Sequence, residues 1–250
     1  MKRKLVAAIA CRNKGSRLYG KPLQNLDVED GITVIDNIID HLNKIEIIDE
    51  IVLGIANGIE NEVYIEIAKN KKIQFIKGDE NDVLQRLIKC GEKVNATDIF
   101  RITSESPFMY YQSVKNLWEL YLNKKLDAIF QDDIVDGCGF EIISMKALKT
   151  SHLRGDEKHR SELCTLFIRE NPDKFNVVKV KASEKLNRKD LRLTVDNPED
   201  LIVCRELYQQ FKDQAPKLNI HSLIDYLDAN PHLKDLVSKY TEDGYNTMYI

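Results

Sequence analysis

Residues 5–23 read LVAAIACRNKGSRLYGKPL, a run that turns from wholly apolar to strongly basic at one point. Leu5 to Ala10 are apolar throughout, which suits a buried strand, and the chain then opens into a loop carrying Arg12, Lys14, Arg17 and Lys21 around Gly15 and Gly20. Glycines let the backbone turn tightly and approach a ligand. Free N–H groups in such a turn form an anion-binding concavity, and the cations add charge-assisted hydrogen bonds. A strand running into this loop predicts a phosphate site, and the rest of the chain reads as its scaffold.

Gly15-x-x-x-x-Gly20-Lys21 falls one residue short of the P-loop signature, because Pro22 stands where a Ser or Thr would hold Mg²⁺. Residues 22–31, PLQNLDVEDG, have no helical apolar period, so the chain is expected to leave the loop extended and not in a helix. A solvated basic loop without a ligand is the other reading of the charge pattern.

At 250 residues the chain has room for one large α/β domain or two small ones, and with 43% hydrophobic and 31% charged residues it has ample material for a core. A net charge of only −3 gives no electrostatic reason to expect nucleic acid or an anionic membrane as partner. No apolar run reaches transmembrane length, and the segment after the basic Met1-Lys2-Arg3-Lys4 is too short for a signal-peptide core, so a cytoplasmic location is expected. The five cysteines, Cys11, Cys90, Cys138, Cys164 and Cys204, are scattered and never spaced C-x-x-C, and the five histidines form no H-x-x-x-H pair. Disulfides and a transition-metal site are therefore not expected.

Outward from the loop, Val34, Ile35, Ile38, Ile39, Leu42 and Ile45 repeat at helical spacing, and residues 51–55 follow as a buried strand. The alternation continues with a helix over 60–71, a strand at 73–76, a turn at 77–79, a helix through Val83, Leu84, Leu87 and Ile88, a strand at 99–102 and a helix through Val114, Leu117, Trp118 and Tyr121. This pattern predicts a mainly parallel, doubly wound, Rossmann-like sheet covered on both faces. It falters over about 127–185, where strand-like pieces at 128–130, 140–143 and 177–180 mix with helical patterns at 145–151 and 158–171. Part of that region reads as an insertion and a candidate dimerisation element. Strand character returns at 191–195, Asn197-Pro198-Glu199-Asp200 opens a helix to about residue 211, and 212–250 forms a helical tail of a single domain spanning 1–250.

Ile9-Ala10-Cys11-Arg12 followed by Gly15-Ser16-Arg17-Leu18-Tyr19-Gly20-Lys21 resembles the I-x-A-R-x-x-S-x-R-L-P-G-K signature of the sugar-activating cytidylyltransferases, above all the spore-coat polysaccharide type, related to the sialic acid and Kdo enzymes. Cys11 and Tyr19 depart from that pattern. Further blocks agree in order: residues 78–86 are similar to G-x-x-x-D-V-L-x-R, 101–108 to R-I-T-G-D-x-P-L, and 193–201 to T-V-D-x-P-E-D-L. The resemblance implies a nucleotide-diphospho-sugar transferase fold. It also implies that Ala10, Arg12, Ser16, Arg17 and Lys21 wrap the triphosphate of a nucleotide, with Lys21 and Arg12 the cations closest to the chemistry, and that Asp82 and Arg86 border the base.

Nucleotidyl transfer needs positioning and charge neutralisation as an acceptor oxygen attacks the α-phosphorus and pyrophosphate leaves. Oxygen-only ligands point to Mg²⁺. Glu105 and Asp196 each follow an expected strand, which would bring both to the carboxyl edge of the sheet beside the basic loop. In the family the aspartates of the corresponding motifs bind the metal, and Glu105 is a longer acid in that place. Read on its own, Asp196 could serve only the helix entrance, with Asn197 as N-cap and Asp200 as capping-box acid, and Glu105 could be an ordinary solvated acid. Gly137-x-x-x-Glu141 matches a G-x-D-x-E acceptor motif at its ends, which makes Glu141 an acceptor-binding candidate, but Gly139 replaces the Asp and Leu163 stands where a His is frequent.

The resemblance thus implies transfer of CMP from CTP to an acidic or phosphorylated sugar, or a similar small acceptor, by a homodimer in surface glycoconjugate synthesis. Other readings are a guanylyl- or other nucleotidyltransferase on a sugar phosphate and, in another class, a catalytically idle nucleotide-binding protein.

Overall fold

β1 (Leu5–Cys11) lies inside a seven-stranded sheet because its residues are apolar on both sides: Leu5, Ala7, Ile9 and Cys11 face one core while Val6 and Ala8 face another. The computed structural model describes residues 2–15 and 17–247, the last five of these by backbone alone. β1 is followed by a short ribbon, β2 (Asn25–Asp27) and β3 (Ile32–Thr33), then α1 (Val34–Leu42), β4 (Glu50–Ala56), α2 (Val63–Lys71), β5 (Gln74–Gly78), α3 (Val83–Lys93) and β6 (Asp98–Arg101). After α4 (Val114–Asn123) come β7 (Ala128–Asp133), β8 (Glu141–Ser144), α5 (Met145–Arg154), α6 (Leu166–Glu170), β9 (Val177–Lys181), α7 (Pro198–Gln210), α8 (Ile220–Ala229) and α9 (Pro231–Thr247).

The sheet order is β5-β4-β1-β6-β8-β7-β9. β5, β4, β1 and β6 pair in parallel, β8 is antiparallel to both neighbours, and β9 is parallel to β7. Side chains of α3, α5 and α6 pack on one face, while α1, α2, α4, α7 and the tail helices α8 and α9 cover the other. The helices start where their caps dictate. Thr33 and Asp36 form a capping box on α1, Asp82 accepts from Gln85 N at the start of α3, and Asn197 with Asp200 boxes α7 behind Pro198. No helix among the described residues is long and apolar enough to cross a membrane.

Four local expectations are corrected. Residues 191–195 are buried but form no ladder strand, because β6 already pairs on both sides, with β1 and β8; the segment makes an isolated bridge, Asp136 to Arg192, and a separate bond from Val195 N to Glu105 O. The helix expected over 158–171 breaks into a 3₁₀ turn, Glu157–Arg160, and α6. There His159 bonds back to Asp156 N and Ser161 Oγ accepts from Leu163 N, local bonds that compete with a helix. The turn expected at 77–79 begins only after Gly78, which ends β5. The extended loop expected over 22–31 is a 3₁₀ turn, Lys21–Leu23, followed by the β2–β3 ribbon. The faltering alternation beyond residue 127 has a plain cause: β7, β8 and β9 belong to the main sheet, and β8 runs against it.

Candidate active site

The basic loop is fixed before any ligand is considered. Gly20 sits at φ 59° in the left-handed region, and its N–H donates to Asn13 O at 2.8 Å. A side chain at Gly15 would meet Leu18 O at 2.7 Å. Asn13, buried, anchors the loop: its N–H donates to Asn61 Oδ1 at 2.7 Å, its amide nitrogen donates to Glu60 O, and Tyr64 OH donates to its Oδ1 at 2.7 Å. Nothing in the local sequence marks Asn13, since its partners lie in the segment before α2 and in α2 itself.

The loop cations converge on one acid. Lys21 Nζ donates to Asp196 Oδ1 at 2.5 Å, Arg17 is 3.3 Å from the same oxygen, and buried Arg192 donates to Oδ2. Burial alone would raise the Asp196 pKa, but Lys21, Arg192 and Arg17 more than offset it and hold the carboxyl below its ordinary value. Glu105 is shifted the other way: burial and the nearby charge of Asp196 raise it, against the weaker pull of Lys21 and Arg101. The segments bearing the two acids are tied together, since Val195 N donates to Glu105 O at 2.9 Å and hydroxyls link Thr103 to Ser106 at 2.7 Å and Ser106 to Thr194 at 3.2 Å. The expected juxtaposition of Glu105 and Asp196 holds, although a buried extended segment and not a strand delivers Asp196.

Two cavities, of about 220 and 270 Å³, meet at the ends of β1 and β6 and share Arg17, Lys21, Arg101, Thr103 and Glu105 in their walls. Ala10, Arg12 and Arg86 line the first; Asp196, Asp136 and Glu141 line the second. Arg12 is 3.3 Å from Glu162 and 4.0 Å from Glu80. Arg86, 1% exposed, borders the first cavity while its guanidinium donates to Gly54 O at 2.8 Å and Cys11 O at 3.1 Å, clasping the ends of β4 and β1. Asp82 is in neither wall: it caps α3 and bonds His152 Nε2 at 2.8 Å. Ser16 lies outside the described residues.

Glu141 is buried between Arg101 and Arg169, each at 2.6 Å, and accepts from Thr165 at 2.7 Å. Burial works to raise its pKa, and the arginines bring it below the ordinary value. Arg101, Arg169 and Arg192 form a second tier that sequence reading did not single out; a charged residue inside the apolar run at 191–195 is the one signal that marks Arg192. All five cysteines are free and buried, and burial pushes the Cys11 thiol up to about 12, which leaves it a packing residue. Among the described residues no group of three or more His, Cys, Asp or Glu gathers as a metal site. Glu105 and Asp196 offer hard oxygen donors beside the basic loop, and their mutual repulsion is of the kind a cation relieves.

The sequence pattern of the cytidylyltransferases matches residues 6–221. The chain belongs to the cytidylyltransferase family. This cytidylyltransferase is 26% identical over 245 residues to an uncharacterised protein of Methanocaldococcus jannaschii, covering 98% of this chain and 99% of that one. It is 24% identical over 184 residues to the spore coat polysaccharide biosynthesis protein SpsF of Bacillus subtilis, 73% of this chain and 76% of that protein. Its fold matches a cytidylyltransferase from Leptospira borgpetersenii with a TM-score of 0.83 at 19% identity, over 93% and 97% of the two chains. It also matches CMP:2-keto-3-deoxy-manno-octonic acid synthetase complexed with CTP, with a TM-score of 0.61 at 16% identity over 83% and 99%.

Proposed function

We propose that this protein transfers CMP from CTP to an acidic or phosphorylated sugar, or a comparable small acceptor, releasing pyrophosphate in the synthesis of a surface polysaccharide or glycoconjugate. The observation that carries the reading is the convergence of Lys21 and Arg17 on Asp196 where the two cavities join, with Glu105 alongside. Nucleotide in the first cavity and acceptor in the second would meet at this seam. Lys21, Arg17 and Arg12 now balance Asp196, Glu162 and Glu80. A triphosphate offers the same cations stronger, multivalent partners, so they bind and orient it by charge-assisted hydrogen bonds. Glu105 and Asp196, freed of the loop cations, would hold Mg²⁺. When bound, that ion supplies neutralisation of charge on the departing pyrophosphate. The backbone tie from Val195 to Glu105 keeps both acids in fixed relation through the turnover.

The same reading takes residues 1–250 as one nucleotidyltransferase domain, cytoplasmic, and dimeric through part of 127–185. The test is pyrophosphate release from CTP, GTP, UTP and ATP against a panel of sugar acids and sugar phosphates with Mg²⁺ present. Release from CTP with at least one acceptor supports the reading. Nucleotide binding with no release for any pair supports an idle nucleotide-binding protein instead.

A further inference from the structure

Gln131 on β7 lines the second cavity, is 3% exposed, and among the described residues its side-chain amide makes no hydrogen bond, while its backbone N–H donates to Phe140 O at 3.0 Å. Its amide faces the cavity and keeps both its donor and its acceptor open to whatever fills that space. The acids around it are, by contrast, fully engaged. Asp132 is bonded by Arg169 at 2.5 and 2.9 Å, Glu141 by Arg101 and Arg169 at 2.6 Å, and Asp136 by Arg192 at 2.6 Å.

The same wall is bare at Gly139. A Cβ there would lie 2.3 Å from Gln131 O, closer than any side chain can approach, so this backbone excludes the acid that the resembling motif carries at that position. Leu163, also in the wall, adds no charge. The half of the cavity remote from the basic loop therefore holds charges that cancel locally and one unspent neutral donor and acceptor.

We propose that Gln131 is the residue that selects the acceptor, reading a hydroxyl or acylamino group at its uncharged end, while any anionic group of the acceptor sits at the opposite end beside Arg17 and Lys21. This rests on the reading of the second cavity as the acceptor site. A site built to hydrogen-bond a polar group discriminates strongly against an analogue that cannot meet it, because the buried partner is then left unpaired.

The test uses the full chain with CTP and Mg²⁺ and five probes: glucose 1-phosphate, N-acetylglucosamine 1-phosphate, glucuronic acid 1-phosphate, 2-keto-3-deoxyoctonate and N-acetylneuraminate. The expected result is that Gln131→Leu raises KM for the acceptor used by the wild type by about 10–100-fold while KM for CTP stays within about twofold. Glucuronic acid 1-phosphate, which differs from glucose 1-phosphate by an acid at the far end, should be the poorer of the two. A second measurement does not depend on the variant folding. In wild-type protein labelled with ¹⁵N-glutamine, the Gln131 side-chain amide signals should shift on addition of that acceptor. An acceptor KM unchanged in Gln131→Leu, amide signals that stay in place, or glucuronic acid 1-phosphate used as well as glucose 1-phosphate each overturn the proposal. A panel in which no probe binds or reacts overturns it too. Loss of the CTP-induced thermal shift in the wild type is the separate result that removes the underlying reading.

Discussion

Asp196 and Glu105 share one neighbourhood and are driven by it in opposite directions. Asp196 titrates below its unfolded value, so its ionised form adds stability above that value and the gain is lost as pH falls through the acid range. Glu105 titrates above its unfolded value, so the folded state holds its proton more tightly and stability falls as pH rises from the unfolded to the folded value. At neutral pH, Asp196→Asn should therefore lower Tm and Glu105→Gln should raise it, measured by differential scanning calorimetry. Both should slow pyrophosphate release by about 10²–10³-fold, the scale of one electrostatic catalytic group. A Glu105→Gln enzyme of full activity at limiting Mg²⁺ would leave Asp196 as the one assigned metal ligand. Lys21→Ala and Arg12→Ala should each weaken CTP binding, read by calorimetric titration, by roughly 10–100-fold, as charge-assisted bonds of about 1.5–3 kcal/mol imply. Unchanged affinity and turnover in both would remove the phosphate-loop assignment. Lys21 and Asp196 were legible because each sits in a compact sequence block, whereas Asn13 and Arg192 were not, because their partners Asn61 and Asp136 lie 48 and 56 residues away.

α7 joins helix capping to the site. Asp200 accepts from Asn197 N at 2.8 Å and Asp196 N at 3.0 Å while it also accepts from Arg192 Nε at 3.0 Å, so one carboxylate both starts the helix and sets the arginine that bonds Asp196. Asp200→Ala should cost at least about 1 kcal/mol from the cap alone. We expect a lower urea midpoint together with reduced pyrophosphate release, although Asp200 is in neither cavity wall. A variant that is destabilised but keeps full turnover below its Tm would confine Asp200 to the cap. Elements of this kind were readable from the sequence: the Asn197-Pro198-Glu199-Asp200 start of α7 and the apolar spacing of α1 and α3 carry their own boundaries. Residues 191–195 were not, because an apolar run becomes a ladder strand only where a sheet edge is free, and β8 occupies the edge of β6. Segment 158–171 differs for another reason: the local bonds of His159 to Asp156 N and of Ser161 to Leu163 N compete with the helix and leave its apolar spacing unchanged.

At the scale of the molecule, the parallel half of the sheet was legible from the strand and helix alternation, and the order of β7, β8 and β9 was not, since pairing direction leaves no mark in a short apolar run. We expect a dimer of twice the 28.9 kDa chain mass by light scattering at micromolar concentration, with an interface on the order of 1,600 Å² drawn partly from 127–185. A monomer mass across that range would exclude it. The bond from Lys21 to Asp196 spans 175 residues, and it has a consequence for biosynthesis. The ribosome delivers the basic loop early and its acidic counterpart only after β1, β4, β5 and β6 have emerged and can pair. A nascent chain halted before residue 196 thus carries the cations of the basic loop without the acid that Lys21 and Arg17 converge on. On the proposed role of Asp196, the site is complete only once translation has passed residue 196 and the chain has folded it against the basic loop, so turnover would report both.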